Sequence, residues 1–155
     1  MNYDAHLDRY AARQQQLASQ HEEHRQRARI ALEEAFKEGD ALVQDIIQPE
    51  LSALLAALLK HHLPARITQM REVSELSPDS TFAVGIELRE DHRTDLPRRG
   101  MVFTAVPHAK FFRIDLHTSL DRSARPSSAE MKFSETTREW AAAVCARFLA
   151  GAFQA

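Results

Sequence analysis

The chain has 155 residues, 44% hydrophobic and 27% charged, with a formal net charge of −2. That length suits one compact domain with one core, and the near-neutral balance excludes a global pull toward nucleic acid or an anionic membrane. A lone cysteine, Cys145, excludes an internal disulfide framework, and four scattered glycines cannot build a Walker loop or a dinucleotide fingerprint.

The opening MNYDAHLDRY carries acidic charge and no apolar run, so no signal or transit peptide is expected. From Asn2 or Asp4 to Glu38 there is neither Gly nor Pro, and Ala, Gln, Glu, Arg and Leu dominate, which predicts a first helix over residues 3–38. Gly39-Asp40 reads as its stop and as the cap of a second helix ending near Leu63 before Pro64. Pro49 predicts a kink near Gln48 or a fresh helical start. Leu51, Leu54, Leu55, Leu58, Leu59 and Leu63 then form a wide apolar surface that must be covered. The run LSALLAALLK is short and ends in Lys60, so a core helix rather than a membrane span is expected, and the cytoplasm is the expected location.

The period changes to two after Pro64. In STFAVGIELRE, Phe82, Val84, Ile86 and Leu88 alternate with polar or small residues, and MVFTAV (101–106) and KFFRIDLH (110–117) read as two further strands joined by Pro107-His108-Ala109. ITQMREV (67–73) reads as a less regular edge strand, and DRSARPSSAE (121–130) as a polar loop. Thr136-Thr-Arg-Glu139 matches a capping box, followed by the stripe Trp140, Val144, Cys145, Phe148 and Ala152 of a closing helix. The predicted order is αα-ββββ-α. It is an α+β fold with a four-stranded, mainly antiparallel meander, in which residues 1–38 project as a helical arm and 39–155 form the globular domain.

A helix over 3–38 is about 54 Å long, more than a body of this size can cover. Positions 3, 7, 10, 14, 17, 21, 24, 28, 31 and 35 follow 4-3 spacing, a heptad seam with Tyr3, Leu7, Tyr10 and Leu17 as anchors. Glu23–Arg27 and Glu33–Lys37 are i, i+4 pairs in the favourable order. The seam predicts self-association in a homodimer or contact with another protein through Tyr3, Leu7, Tyr10, Leu17, His21 and His24, against the competing reading that helix 1 packs on helix 2. His21 and His24 flank two glutamates but lie three apart, not in the HExxH spacing of a zincin. Two histidines cannot complete a zinc shell, whereas a symmetric dimer would bring four together, a layer sensitive to zinc or acid.

The meander places loop 90–99 beside loop 118–130. This gathers Arg89, Arg93, Arg98, Arg99, Arg122 and Arg125, guanidinium forks that suit a phosphate-bearing ligand or nucleic acid, although Glu90, Asp91, Asp95 and Asp121 are interleaved. No GxSxG elbow is present and Cys145 lies on an apolar stripe, so catalysis is not expected and no cofactor is implied. Pro78-Asp79 followed by Glu87-Leu88-Arg89 resembles the PD-(D/E)xK nuclease signature. The resemblance spans a dozen residues and implies metal-holding carboxylates at Asp79 and Glu87, with Arg89 in place of the family's lysine. The sequence is read as a small adaptor or chaperone-like interaction module. An anion- or nucleic-acid-binding module is the first alternative and a degenerate nuclease-like enzyme the second.

Overall fold

The computed structural model describes residues 2–71, 76–89, 98–121 and 123–153. Its first element is one helical rod from Tyr3 to Lys60. It comprises α1 (Tyr3–Leu42), a single π turn (Val43–Ile47) and α2 (Gln48–Lys60). Gly39 therefore does not stop a helix, and Asp40 does not cap one. Gly39 is present because a Cβ there would lie 2.9 Å from Cζ of Phe133 and 3.3 Å from Cζ of Phe82, so the close approach of two rings outweighs glycine's poor helix propensity. Asp40 instead accepts from Arg71 of the first strand and from Gln44 Nε2 at 3.1 Å.

Pro49 is accommodated by the π turn that precedes it. There the Gln48 N–H reaches back to the Val43 carbonyl, and the widened turn makes room for a ring that would collide with a regular α-helical carbonyl. The rod ends in a Schellman motif, with Leu63 N–H donating to Leu58 O and His62 N–H to Leu59 O. His62 takes the left-handed conformation at φ 62°, and Pro64 prevents the helix from resuming.

Five strands follow: β1 (Ala65–Arg71), β2 (Phe82–Leu88), β3 (Gly100–Val106), β4 (Phe111–His117) and β5 (Ser127–Lys132). They pair antiparallel in chain order, with Ile67 opposite Ile86, Val84 opposite Phe103, Phe103 opposite Ile114 and Ile114 opposite Ala129. The expected four-stranded meander gains β5, since SSAEMK pairs with β4 where a polar loop was expected. The closing helix, α3 (Arg138–Ala152), starts one residue later than its sequence suggests. Thr137 is its N-cap, accepting from Trp140 N–H at 3.1 Å, while the buried Thr136 hydroxyl donates to Lys132 O, so no Thr136–Glu139 box forms.

The core lies between one sheet face and the helices. Phe82, Val84, Ile86, Met101, Phe103, Phe112 and Ile114 meet Val43, Ile47, Leu51, Leu54 and Leu58 from the rod and Val144, Cys145 and Phe148 from α3. Phe103 meets Trp140 edge-on at 5.7 Å between ring centroids. The rod also holds an 18-residue window that by length and composition alone could cross a membrane, contrary to the expectation from LSALLAALLK. In this fold its Ile47, Leu51, Leu54 and Leu58 are buried against the sheet.

Candidate interaction surfaces

Leu32 is the first residue of the rod to be buried, followed by Ala35 and Gly39. From Asn2 to Ala31 every side chain is exposed except Ala5, which is partly shielded. About 43 Å of helix therefore stands clear of the body. The six seam residues sit on this bare segment: Tyr3 is 69% exposed, Leu7 63%, Tyr10 62% and Leu17 41%, with His21 and His24 exposed beside them. Helix 1 does not fold back on helix 2, because the two are collinear. At about 100° per residue, Tyr3, Leu7, Tyr10, Leu17 and His21 fall within about 80° of Ala35, on the side of the rod that Leu32, Ala35 and Gly39 turn to the body. The apolar stripe of the arm thus continues the buried stripe of the rod past the point where the body ends. Its helical ion pair is Arg29–Glu33 at 3.3 Å, while Glu23–Arg27 and Glu33–Lys37 do not close.

A second surface is the sheet face turned away from the helices. Its cross-strand rows are Met70, Ala83, Thr104, Arg113 and Glu130; then Thr68, Gly85, Val102, Asp115 and Ser128; then Arg66, Glu87, Gly100 and His117. Small residues in the middle of these rows leave a groove of about 590 Å³ along Met70, Ala83, Val102, Thr104, Arg113, Asp115 and His117. In the neighbouring row, Gly85 is required by the close approach of β3, because a Cβ there would lie 2.3 Å from the Met101 carbonyl oxygen. Met70, 74% exposed, supplies a soft apolar edge. The charges at the rim are ordered by pairing: Arg113 Nε lies 3.2 Å from Asp115, which also accepts from Ser128.

The arginine end is less convergent than its sequence suggests. Arg98 donates to Glu87 Oε1 at 2.9 Å on the open face, and Arg66 donates to Glu87 Oε2 at 3.1 Å. Partial burial raises the Glu87 carboxyl, but hydrogen bonds and charge from Arg98 and Arg66 outweigh this and hold it below the ordinary carboxylate value. Arg99 is turned to the helical side, where it donates to the Ala152 carbonyl at the end of α3 and stacks 5.2 Å from the Phe153 ring centroid. Adjacent arginines are thus engaged on opposite faces of the sheet. Arg89 and Arg125 are exposed, whereas Arg93 and Arg122 lie outside the described residues, as do Glu90, Asp91 and Asp95.

The nuclease-like residues are also apart. Asp79 lies in the turn before β2 and Glu87 near the far end of that strand, about 17 Å or more along it, and Glu87 is engaged by two guanidinium groups. Among the described residues, no three of His, Cys, Asp and Glu gather as a metal shell. Cys145 is buried, and its thiol is pushed up to about 11 by burial and by the nearby Glu50 charge. No family model matches the chain, and no curated protein or solved structure shows significant similarity to it.

Proposed function

We propose that this chain is a non-catalytic interaction module of adaptor or chaperone-like type that forms a homodimer through its N-terminal helix and presents the open sheet face to another protein. The observation that carries the reading is the bare arm, an apolar stripe of Tyr3, Leu7, Tyr10 and Leu17 continuing a buried one with no body beneath it. An isolated helix of such mixed seam composition is marginal in water, so a second surface supplies what tertiary packing supplies elsewhere in the rod. The open sheet face supports the adaptor half of the reading, because its groove combines an apolar floor with polar groups held in fixed pairs.

Arg89 and Arg125 keep an anion-binding role for the loop end as the alternative. It predicts binding to a phosphate polymer that weakens steeply with salt and falls on Arg89→Ala/Arg125→Ala substitution. The test of the favoured reading is pull-down of the intact chain with a differently tagged second copy. Recovery that is lost with Leu7→Glu/Leu17→Glu supports arm-mediated association. Undiminished recovery with that variant moves the contact to another surface, and no recovery of the intact chain ends the dimer reading.

A further inference from the structure

We infer that the occupant of the bare stripe is the arm of a second copy running antiparallel, with residue i facing residue 31 − i, so that each arm tip seats in the other copy's elbow. This rests on the dimer reading above and adds its direction, register and end contact. Direction follows from where the body lies. The stripe and the body share one side of the rod. In a parallel pair joined through the stripe at the usual interaxial distance of about 8–10 Å, both bodies would need the same space beyond Leu32. An antiparallel pair avoids this, provided each arm stops where the other body begins.

Register follows from length and from the heptad. The bare segment ends at Ala31, so full overlap without collision sets facing numbers that sum to about 31. Antiparallel coils place each a position against a d position of the partner, and this sum satisfies that rule along the whole arm: Leu7 faces His24, Tyr10 faces His21, Gln14 faces Leu17 and Tyr3 faces Ala28. Large side chains meet smaller or polar ones in each layer. Beside the seam, facing numbers sum to 29 on one flank, which sets Asp4 against Arg25, an opposite-charge contact occurring twice by symmetry, and Ala11 against Ala18; they sum to 33 on the other, which sets His6 against Arg27 and Arg13 against Gln20. In the parallel arrangement the corresponding flanks pair Arg13 with Ala18 and Gln20 with Arg25, with no opposite charges meeting.

The elbow supplies an independent observation. A cavity of about 420 Å³ lies between the rod and the 76–78 segment, lined by Arg25, Ala28, Leu32, Leu76 and Pro78 and by Arg29 with its ion-pair partner Glu33. The register brings the second copy's Tyr3 to Ala28 and its Asp4 to Arg25, both on this lining, so a phenol ring fills an apolar recess whose rim carries the matching cation. Leu76, 41% exposed, would be covered by it. A contact strip about 43 Å by about 10 Å on each helix totals roughly 900 Å², short of the roughly 1,200 Å² at which stable interfaces begin. The two elbow contacts add to that area. In this arrangement the histidines face Tyr10 and Leu7, not one another, so no four-histidine layer forms.

Cysteine pairs read direction and register. Under mild oxidation the Leu7→Cys/His24→Cys chain should cross-link to a covalent dimer, while Leu7→Cys alone should not, because the two copies of residue 7 lie about 25 Å apart along the pair. Buried Cys145 stays out of the reaction. As a second measure, Asp4→Arg should weaken dimerisation by about twofold to fivefold per contact, and adding Arg25→Asp should restore it. Light scattering is run on each variant. A dimer in which Leu7→Cys alone cross-links, or in which neither variant does, overturns the antiparallel register and leaves the dimer reading standing. A monomeric intact chain overturns both.

Discussion

Glu87 sits near the end of β2 between the guanidinium groups of Arg66 and Arg98, and its depressed titration links it to stability. A carboxyl whose folded value lies below its unfolded value contributes stability that is full above the unfolded value and is lost as pH falls through the folded one. Glu87→Gln should therefore lower the urea midpoint at pH 7, and the gap from the parent should be smaller at about pH 3, below the ordinary glutamate value. A gap of equal size at both pH values would show that the carboxylate charge is not what the arginines hold. Cys145 gives a second residue-level prediction. With its thiol pushed up to about 11 and its side chain buried beside Val144 and Phe148, it should resist an aromatic disulfide reagent at pH 8 and react at once in denaturant. Fast reaction in the native state would contradict this burial.

The clearest lesson from the elements concerns punctuation. Gly39 and Pro49 read as a stop and a restart because both residues end helices in isolation, yet the apolar stripe Leu32, Ala35, Gly39, Val43, Ile47, Leu51, Leu54 and Leu58 runs through both without losing register. That stripe is legible in the sequence, and at Gly39 and Pro49 tertiary packing outweighs local propensity. β2, β3 and β4 were legible because one face of each is buried and the other is not. β5 was not, because an edge strand whose side chains are nearly all exposed carries no alternation to read. The groove was equally hidden, since its floor depends on cross-strand neighbours that one strand's sequence does not name. Gly85 marks the tightest approach between β2 and β3. Gly85→Ala would drive a Cβ into the Met101 carbonyl and should cost about 1–3 kcal/mol in chemical denaturation, with the β2–β3 pair opening first in hydrogen exchange. Unchanged stability would mean that the two strands part more easily than their spacing implies.

At the scale of the whole molecule, the feature to be explained is a 58-residue rod of which only the C-terminal part is packed. The sequence already showed a seam too long for the body to cover, and it named Tyr3, Leu7, Tyr10, Leu17, His21 and His24. It could not show that the seam points to the body's own side, because that depends on the rod continuing unbroken into α2. Removing residues 2–20 should leave the thermal midpoint of the globular part nearly unchanged at micromolar concentration, since none of the core side chains lies there. It should also abolish any concentration dependence of that midpoint. A collapse of the midpoint would place the arm within the fold's own core. Self-association through the arm is read from molar mass by light scattering of the intact chain beside Leu7→Glu/Leu17→Glu. The intact protein should show about twice the 17.6 kDa chain mass and the variant a single chain mass, with matching far-ultraviolet dichroism of the globular part. An intact chain that elutes as a monomer across the micromolar range, or a variant that keeps the doubled mass, would contradict it.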